Sequence, residues 1–204
     1  ELKDSDLVTV VSNKQVVKSG LIKKFISIGG YMTPMEIAIH NLLEDFREVE
    51  QSVLDLACDF KPKAIYVSDT NMLLETSEID DPLVPFEERK SRPIKIWKHL
   101  VDEGIEPREI AVYCNLKFDR RFPKPSNFNL FSGGDNDYEE FIAGNYRHII
   151  FNQSLQEGWD DPSCYFAYID KDMGSNTQVT QVIGRVLRQP KATHYADDKL
   201  NMAN

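Results

Sequence analysis

The stretch QVIGRVLRQP, residues 181–190, places Gln181, Arg185 and Arg188 at steps of four and three. On a helix the three share one face. Gly184 keeps the surface there low, while Val182, Ile183, Val186 and Leu187 supply a packing side. A guanidinium group is a planar fork of donors that a phosphate can fill. No acid stands between Met173 and Ala196 to neutralise the two arginines. The expectation is an exposed stripe whose anion comes from outside this domain, a phosphate above all. The plainer alternative is a solvated basic helix face.

A second candidate is SLQEGWDDP, residues 154–162, set between the apolar runs HIIFNQ and SCYFAYI. In an open parallel sheet, ligands gather at the carboxyl ends of the strands, where this loop is expected. Ser154 has the chemistry to bond a phosphate, and Asp160 to accept from a sugar hydroxyl. Gly158 lets the backbone turn or approach a ligand closely. Taken alone, the loop reads equally as a plain turn with an N-capping acid. Trp159 would stack on a base or pack between strand ends, and His148 would line the start of a strand. A third candidate is the loop 117–124, where Lys117, Arg120, Arg121 and Lys124 alternate with Phe118 and Phe122. It fits a nucleic-acid backbone or an ordinary exposed loop.

The elements that must hold these residues follow from periodicity. LVTVV (7–11) reads as a short strand. A helix opens near Pro34, with Thr33 as N-cap and Glu36 completing a capping box. Ile39, Leu42, Leu43, Phe46, Val49, Val53 and Leu56 then give one apolar stripe ending near Asp59. Strands are expected at 61–68, 109–114, 147–153 and 164–170, each nearly continuous in apolar residues. Helices are expected from Ile94 to Gly104, at 138–142 and at 176–188, with a loop over 75–93 and a longer one after Cys114. Strands alternating with helices mean an α/β fold, a parallel sheet with helices on both faces, preceded by a long amphipathic helix.

Composition sets the bounds. The chain of 204 residues is 41% hydrophobic, enough for one sizeable core. With 24 basic and 33 acidic residues its net charge is −9, which argues against a general nucleic-acid coat protein. The balance is uneven. Residues 75–88 hold six acids and no Lys or Arg, which reads as a solvated loop, and residues 14–24 hold four lysines and no acid. Cys58, Cys114 and Cys164 show no metal-binding spacing, so no metal site is expected; Cys114 and Cys164 read as buried thiols. The absence of a disulfide framework and of a recognisable signal peptide or membrane span points to a reducing, cytoplasmic setting. The chain opens on ELKDSDLV without an initiator Met and reads as a fragment of a longer protein.

Together the two motifs resemble motifs V and VI of superfamily 2 helicases and translocases. Their order matches too: AIYVSDT where motif IV belongs, IAVYCN near motif IVa, then SLQEGWDDP and QVIGRVLRQ. More narrowly, FNQSLQEGWDDPSCYFAYID followed by TQVIGRVLRQP looks like the restriction subunit of type III restriction enzymes. The resemblance implies a RecA-like second motor domain over residues 60–204, with 1–59 as an inter-domain lead-in. It implies Gly158, Asp160 and Gln181 on the nucleotide side, Arg188 as arginine finger with Arg185 beside it, and Ser154, Asn115, Lys117, Arg120 and Arg121 toward nucleic acid. It further implies ATP and Mg²⁺, held mainly by a first RecA-like domain, and as partners double-stranded DNA and a modification (methylase) subunit. No G-x-x-x-x-G-K-[ST] loop and no acidic box are present, so this chain would be half of an ATPase engine. Two alternatives stand beside it: a non-hydrolysing RecA-like module that binds nucleic acid or a partner, and another superfamily 2 DNA repair helicase. EGWDDP departs from the RGxD form usual in RNA-unwinding enzymes.

Overall fold

The computed structural model describes residues 11–30, 33–68, 80–132, 134–152, 159–170 and 176–204. The expected strand at 7–11 therefore lies almost wholly outside the described residues, as do Ser154 and Gly158. Five parallel strands form the central sheet: β2 (Lys63–Ser68), β3 (Ile110–Tyr113), β4 (Asn129–Phe131), β5 (His148–Phe151) and β6 (Cys164–Asp170), in the order β4-β3-β5-β2-β6. The helices are α1 (Asn13–Lys18), α2 (Met35–Asp55), α3 (Arg92–Asp102), α4 (Asp137–Ala143) and α5 (Asn176–Leu187). The expected α/β architecture is what the chain adopts.

Side chains alternate across the pleat, and each strand feeds two cores. Ala64, Tyr66, Ile110, Val112 and Ile150 face one side, where α2 and α3 cover them. Ile65, Val67, Ala111, Tyr113, Ile149 and Phe151 face the other, against Phe141 of α4 and Val182 and Val186 of α5. Burial on both faces explains why the strands read as unbroken apolar runs. At the start of β6 the register slips, so that Lys63 pairs with Cys164 but Ala64 with Phe166. The extra residue, Tyr165, is thereby added to the same core as Phe166.

The lead-in helix α2 buries Met35, Ala38, Ile39, Leu43, Phe46, Val49 and Val53, at steps of three and four. Each large apolar side chain in that stripe contributes roughly 2 kcal/mol, so α2 is held by packing on the sheet and not by its ends. Its N-cap is Pro34, without a side-chain bond, one residue beyond the expected Thr33. Several short elements went unforeseen, α1 among them. β4 sits inside what reads as one long loop; it is three residues long, and its flanking Asn, Pro and Gly mask it. β1 (Phe25–Ile26) pairs in parallel with β7 (Met202–Ala203), and Asn204 bonds through its N–H and C=O to Tyr165 and Ala167 on the open edge of β6. Among the described residues no helix is long and apolar enough to cross a membrane.

Candidate functional site

Strand direction decides where the candidate residues fall. β5 and β6 are parallel and flank β2 on either side, so the chain between them must return from the carboxyl edge of the sheet to its amino edge. Trp159, Asp160 and Asp161 belong to the arriving end. Asp161 pairs with Lys63, the first residue of β2, at 2.5 Å. The expectation that this loop sits at the carboxyl ends of the strands is thus corrected for its second half. α5 also runs from the carboxyl edge to the amino edge, and its end meets Asp160 there.

The meeting is direct. Arg188 and Asp160 form an ion pair at 2.5 Å, with side chains 56% and 40% exposed. Arg188 stands just past the last turn of α5, where its backbone bridges Ile22. Arg185, one turn earlier, is buried at 7% exposure. Its guanidinium donates to the carbonyl of Trp159 and lies 5.7 and 5.9 Å from the ring centres of Trp159 and Phe151. Burial pulls its pKa below the ordinary arginine value, partly offset by the nearby Cys164 and Asp160. Two expectations are corrected here. The stripe is not uniformly exposed, since only Gln181 and Arg188 reach solvent. Nor must the anion for Arg188 be foreign to the domain, because Asp160 arrives from 28 positions earlier along the chain. The surface over Gly184 is open, as expected: a methyl group there would meet nothing within 4 Å among the described residues.

Asp160 and Asp161 have separate tasks. Asp160 faces Arg188, whereas Asp161 takes Lys63 and caps the turn into β6 by accepting from the Ser163 N–H at 2.9 Å. Trp159 is buried and packs on Phe141 with ring centres 5.8 Å apart, so it is a packing residue here. His148 lines the start of β5, as expected. It is buried, its Nδ1 lies 2.9 Å from the Tyr66 hydroxyl, and burial aided by neighbouring Arg147 pushes its pKa down to about 3. Cys114 and Cys164 are buried, and burial raises both thiols, Cys114 to about 12. They are inert core residues.

The described residues expected to face nucleic acid lie on the loop from the carboxyl end of β3 back to β4. Asn115 follows the carboxyl end of β3 and is exposed, as are Lys117, Arg120 and Arg121. Arg121 is paired with Asp119 at 2.9 Å. Phe118 is not available for stacking on a base, because it packs on Phe86 and Phe128 beneath the Arg89 guanidinium. Arg89 ties the loop down by donating to the Lys117 carbonyl and to Asp80. That buried pair removes Asp80 from the acidic run, which was read as wholly solvated. The structure therefore divides the candidates into Asp160, Arg185 and Arg188 at the amino edge and, away from them, Asn115 just past the carboxyl end of β3 with Lys117, Arg120 and Arg121 on the loop that returns from there to β4.

Sequence reasoning missed three residues of the amino-edge site: Asp161, Lys63 and Lys23. Lys23 lay inside the basic run 14–24, where nothing marks it off from Lys24; yet it is 1% exposed, whereas Lys24 lies 3.9 Å from Asp198 at the surface. Among the described residues no group of three or more His, Cys, Asp or Glu is placed to hold a metal ion. Comparison with protein-family models, with curated proteins and with solved structures finds no match.

Proposed function

We propose that this chain is the second RecA-like half of an ATP-dependent DNA translocase of superfamily 2, most like the restriction subunit of type III restriction enzymes. A first RecA-like half would hold the nucleotide phosphates and Mg²⁺. The observation that carries this reading is the Asp160–Arg188 pair: two motifs far apart in sequence converge on one accessible ion pair, at the end of a helix packed on a parallel sheet. In such a protein, bound ATP would supply the phosphoryl group and Mg²⁺ would neutralise part of its charge.

The residues present fit that role. A half-exposed ion pair contributes only about 0–1 kcal/mol, so Arg188 can exchange Asp160 for a phosphate at little cost. Its planar fork then stabilises charge spread over phosphoryl oxygens. Asp160, once released, can accept from a ribose hydroxyl. Arg185 stays buried and keeps the Trp159–Asp160 backbone against α5, which makes it a positioning residue in place of the expected second γ-phosphate ligand. Double-stranded DNA would run along the loop after β3, past Asn115, Lys117 and Arg120, and a methylase subunit would complete the assembly.

The test is DNA-stimulated phosphate release by the protein joined to its nucleotide-holding half. Arg188→Ala should leave the circular dichroism spectrum unchanged and lower turnover by about 10³ or more. Arg188→Lys should fail as well, because a point charge does not reproduce the fork. A well-folded Arg188→Ala protein with near-normal turnover would sink the assignment. It would favour the second reading, a RecA-like binding module without hydrolysis.

A further inference from the structure

Lys23 is 1% exposed, yet no carboxylate is bonded to its ammonium among the described residues. Its Nζ donates instead to three main-chain carbonyls: Cys164 at 2.9 Å, Val186 at 2.8 Å, and Arg188. The ring of Tyr165 lies 4.1 Å away. Val186 and Arg188 supply carbonyls at the end of α5 that have no partner inside the helix, and Cys164 opens β6. An ammonium has three donors and a neutral amine two, so the complete set of bonds needs the charged form. The segment is also fixed by its backbone. The Lys23 N–H donates to Leu187 O at 2.7 Å, and the Gln189 N–H to Leu21 O at 3.1 Å. Gly20 permits this crossing: its φ is +78°, and a Cβ there would stand 2.5 Å from the Ala192 carbonyl oxygen.

We propose that Lys23 is the positioning residue of Arg188: its ammonium closes the last carbonyls of α5 onto the first residue of β6 and so fixes where the Arg188 fork stands beside Asp160. The device responds to pH, because losing the proton gives up one of the three bonds. Cys164 and Tyr165 face Lys23 from β6 and Asp161 from the incoming loop; Lys63 pairs with Asp161, Arg185 acts on the same Cys164, Arg188 lends its carbonyl, and His194 is bonded to the carbonyl of the preceding Ile22. Burial pushes the Lys23 pKa down to about 7, and Cys164 and Asp161 pull it partly back; the carbonyl acceptors add to that pull. The kinetic consequence rests on the reading of Arg188 given above, whereas the positioning itself does not.

The experiment has two arms. In the first, the Arg188 side-chain Cζ resonance is followed by carbon-detected NMR from about pH 6 to about pH 11, bracketing the ordinary lysine value of about 10.4. The wild type should shift with one midpoint between about 7 and about 10. Lys23→Met and Lys23→Gln should lack that midpoint, and His194→Gln should keep it. In the second arm, turnover with the nucleotide-holding half should fall about 10- to 100-fold in Lys23→Gln with little change in KM, because a misplaced group costs rate more than binding. A midpoint that survives in Lys23→Gln, or is absent from the wild type, overturns the proposal. Should both variants fail to fold, the wild-type titration with its His194→Gln control still decides. A wild type without turnover would refute the functional reading and leave the first arm standing.

Discussion

At the amino edge of the sheet, Lys23, Lys63, Arg185 and Arg188 each meet an acceptor of the chain's own: three carbonyls, Asp161, the Trp159 carbonyl and Asp160. On the loop from β3 to β4, Lys117 and Arg120 stand exposed while Phe118 packs on Phe86 and Phe128. The first edge is built in advance. Anything that binds there must displace an internal partner, and specificity follows from geometry. The loop works through field. Its cations are exposed, so attraction there is long-ranged, unselective and screened by salt.

Within the amino edge the contrast sharpens between Arg185 and Arg188, three residues apart. Arg188→Ala removes an exposed pair and should cost less than about 1 kcal/mol of stability, while turnover falls by about 10³, equivalent to about 4 kcal/mol of barrier. A large loss of stability in that variant, measured by urea unfolding, would erase the distinction.

Acid probes the same edge from beneath. His148 opens β5, and its folded pKa of about 3 lies below the unfolded value of about 6.5. The unfolded chain therefore takes up a proton that the folded chain refuses. Stability is fully present above about pH 6.5 and falls as pH drops toward 3, by roughly 3 kcal/mol at about pH 4. His148→Gln can still accept from Tyr66 and should remove most of this dependence. An unchanged acid limb in that variant would assign the effect to carboxylates instead.

Arg185→Met should destabilise the chain by about 2 kcal/mol, since it orphans the buried Trp159 carbonyl and empties the space beside Phe151. Wild-type unfolding midpoints in that variant would mean that the amino edge is not held together by Arg185.

The smallest effect belongs to the loop after β3. Lys117→Ala and Arg120→Ala should each flatten the slope of log K against log salt for DNA by about 0.9. Arg121→Ala should do less, because Asp119 already neutralises it. Equal contributions from all three would show that the Asp119 pair opens on binding, and no change would remove DNA from this loop.

Much of the scaffold was legible because its signals are local. Continuous apolar runs marked β2, β3, β5 and β6, and the stripe from Ile39 to Val53 marked α2. What stayed hidden was short or distant. β4 and the pair β1 and β7 are too brief for any period to register. Acids near Arg185 and Arg188 in sequence do not include Asp160, and nothing around Phe118 announces its partners Phe86 and Phe128.

The sequence by itself determined the alternation of strands and helices, the two-faced sheet and the motifs at residues 154–162 and 181–190, because periods of two and 3.6 residues are written into neighbouring positions. Only the tertiary structure decided that Arg185 is an anchor and Arg188 the accessible fork, that Asp160 faces one and Asp161 turns to Lys63, and that Lys23 alone of the basic run 14–24 is shut inside the fold. Those outcomes hang on contacts spanning 26 residues, for Arg185 and Trp159, and 163, for Lys23 and Val186. A charged side chain is buried only where the assembled fold brings acceptors to it, and no local pattern along the chain encodes when that happens.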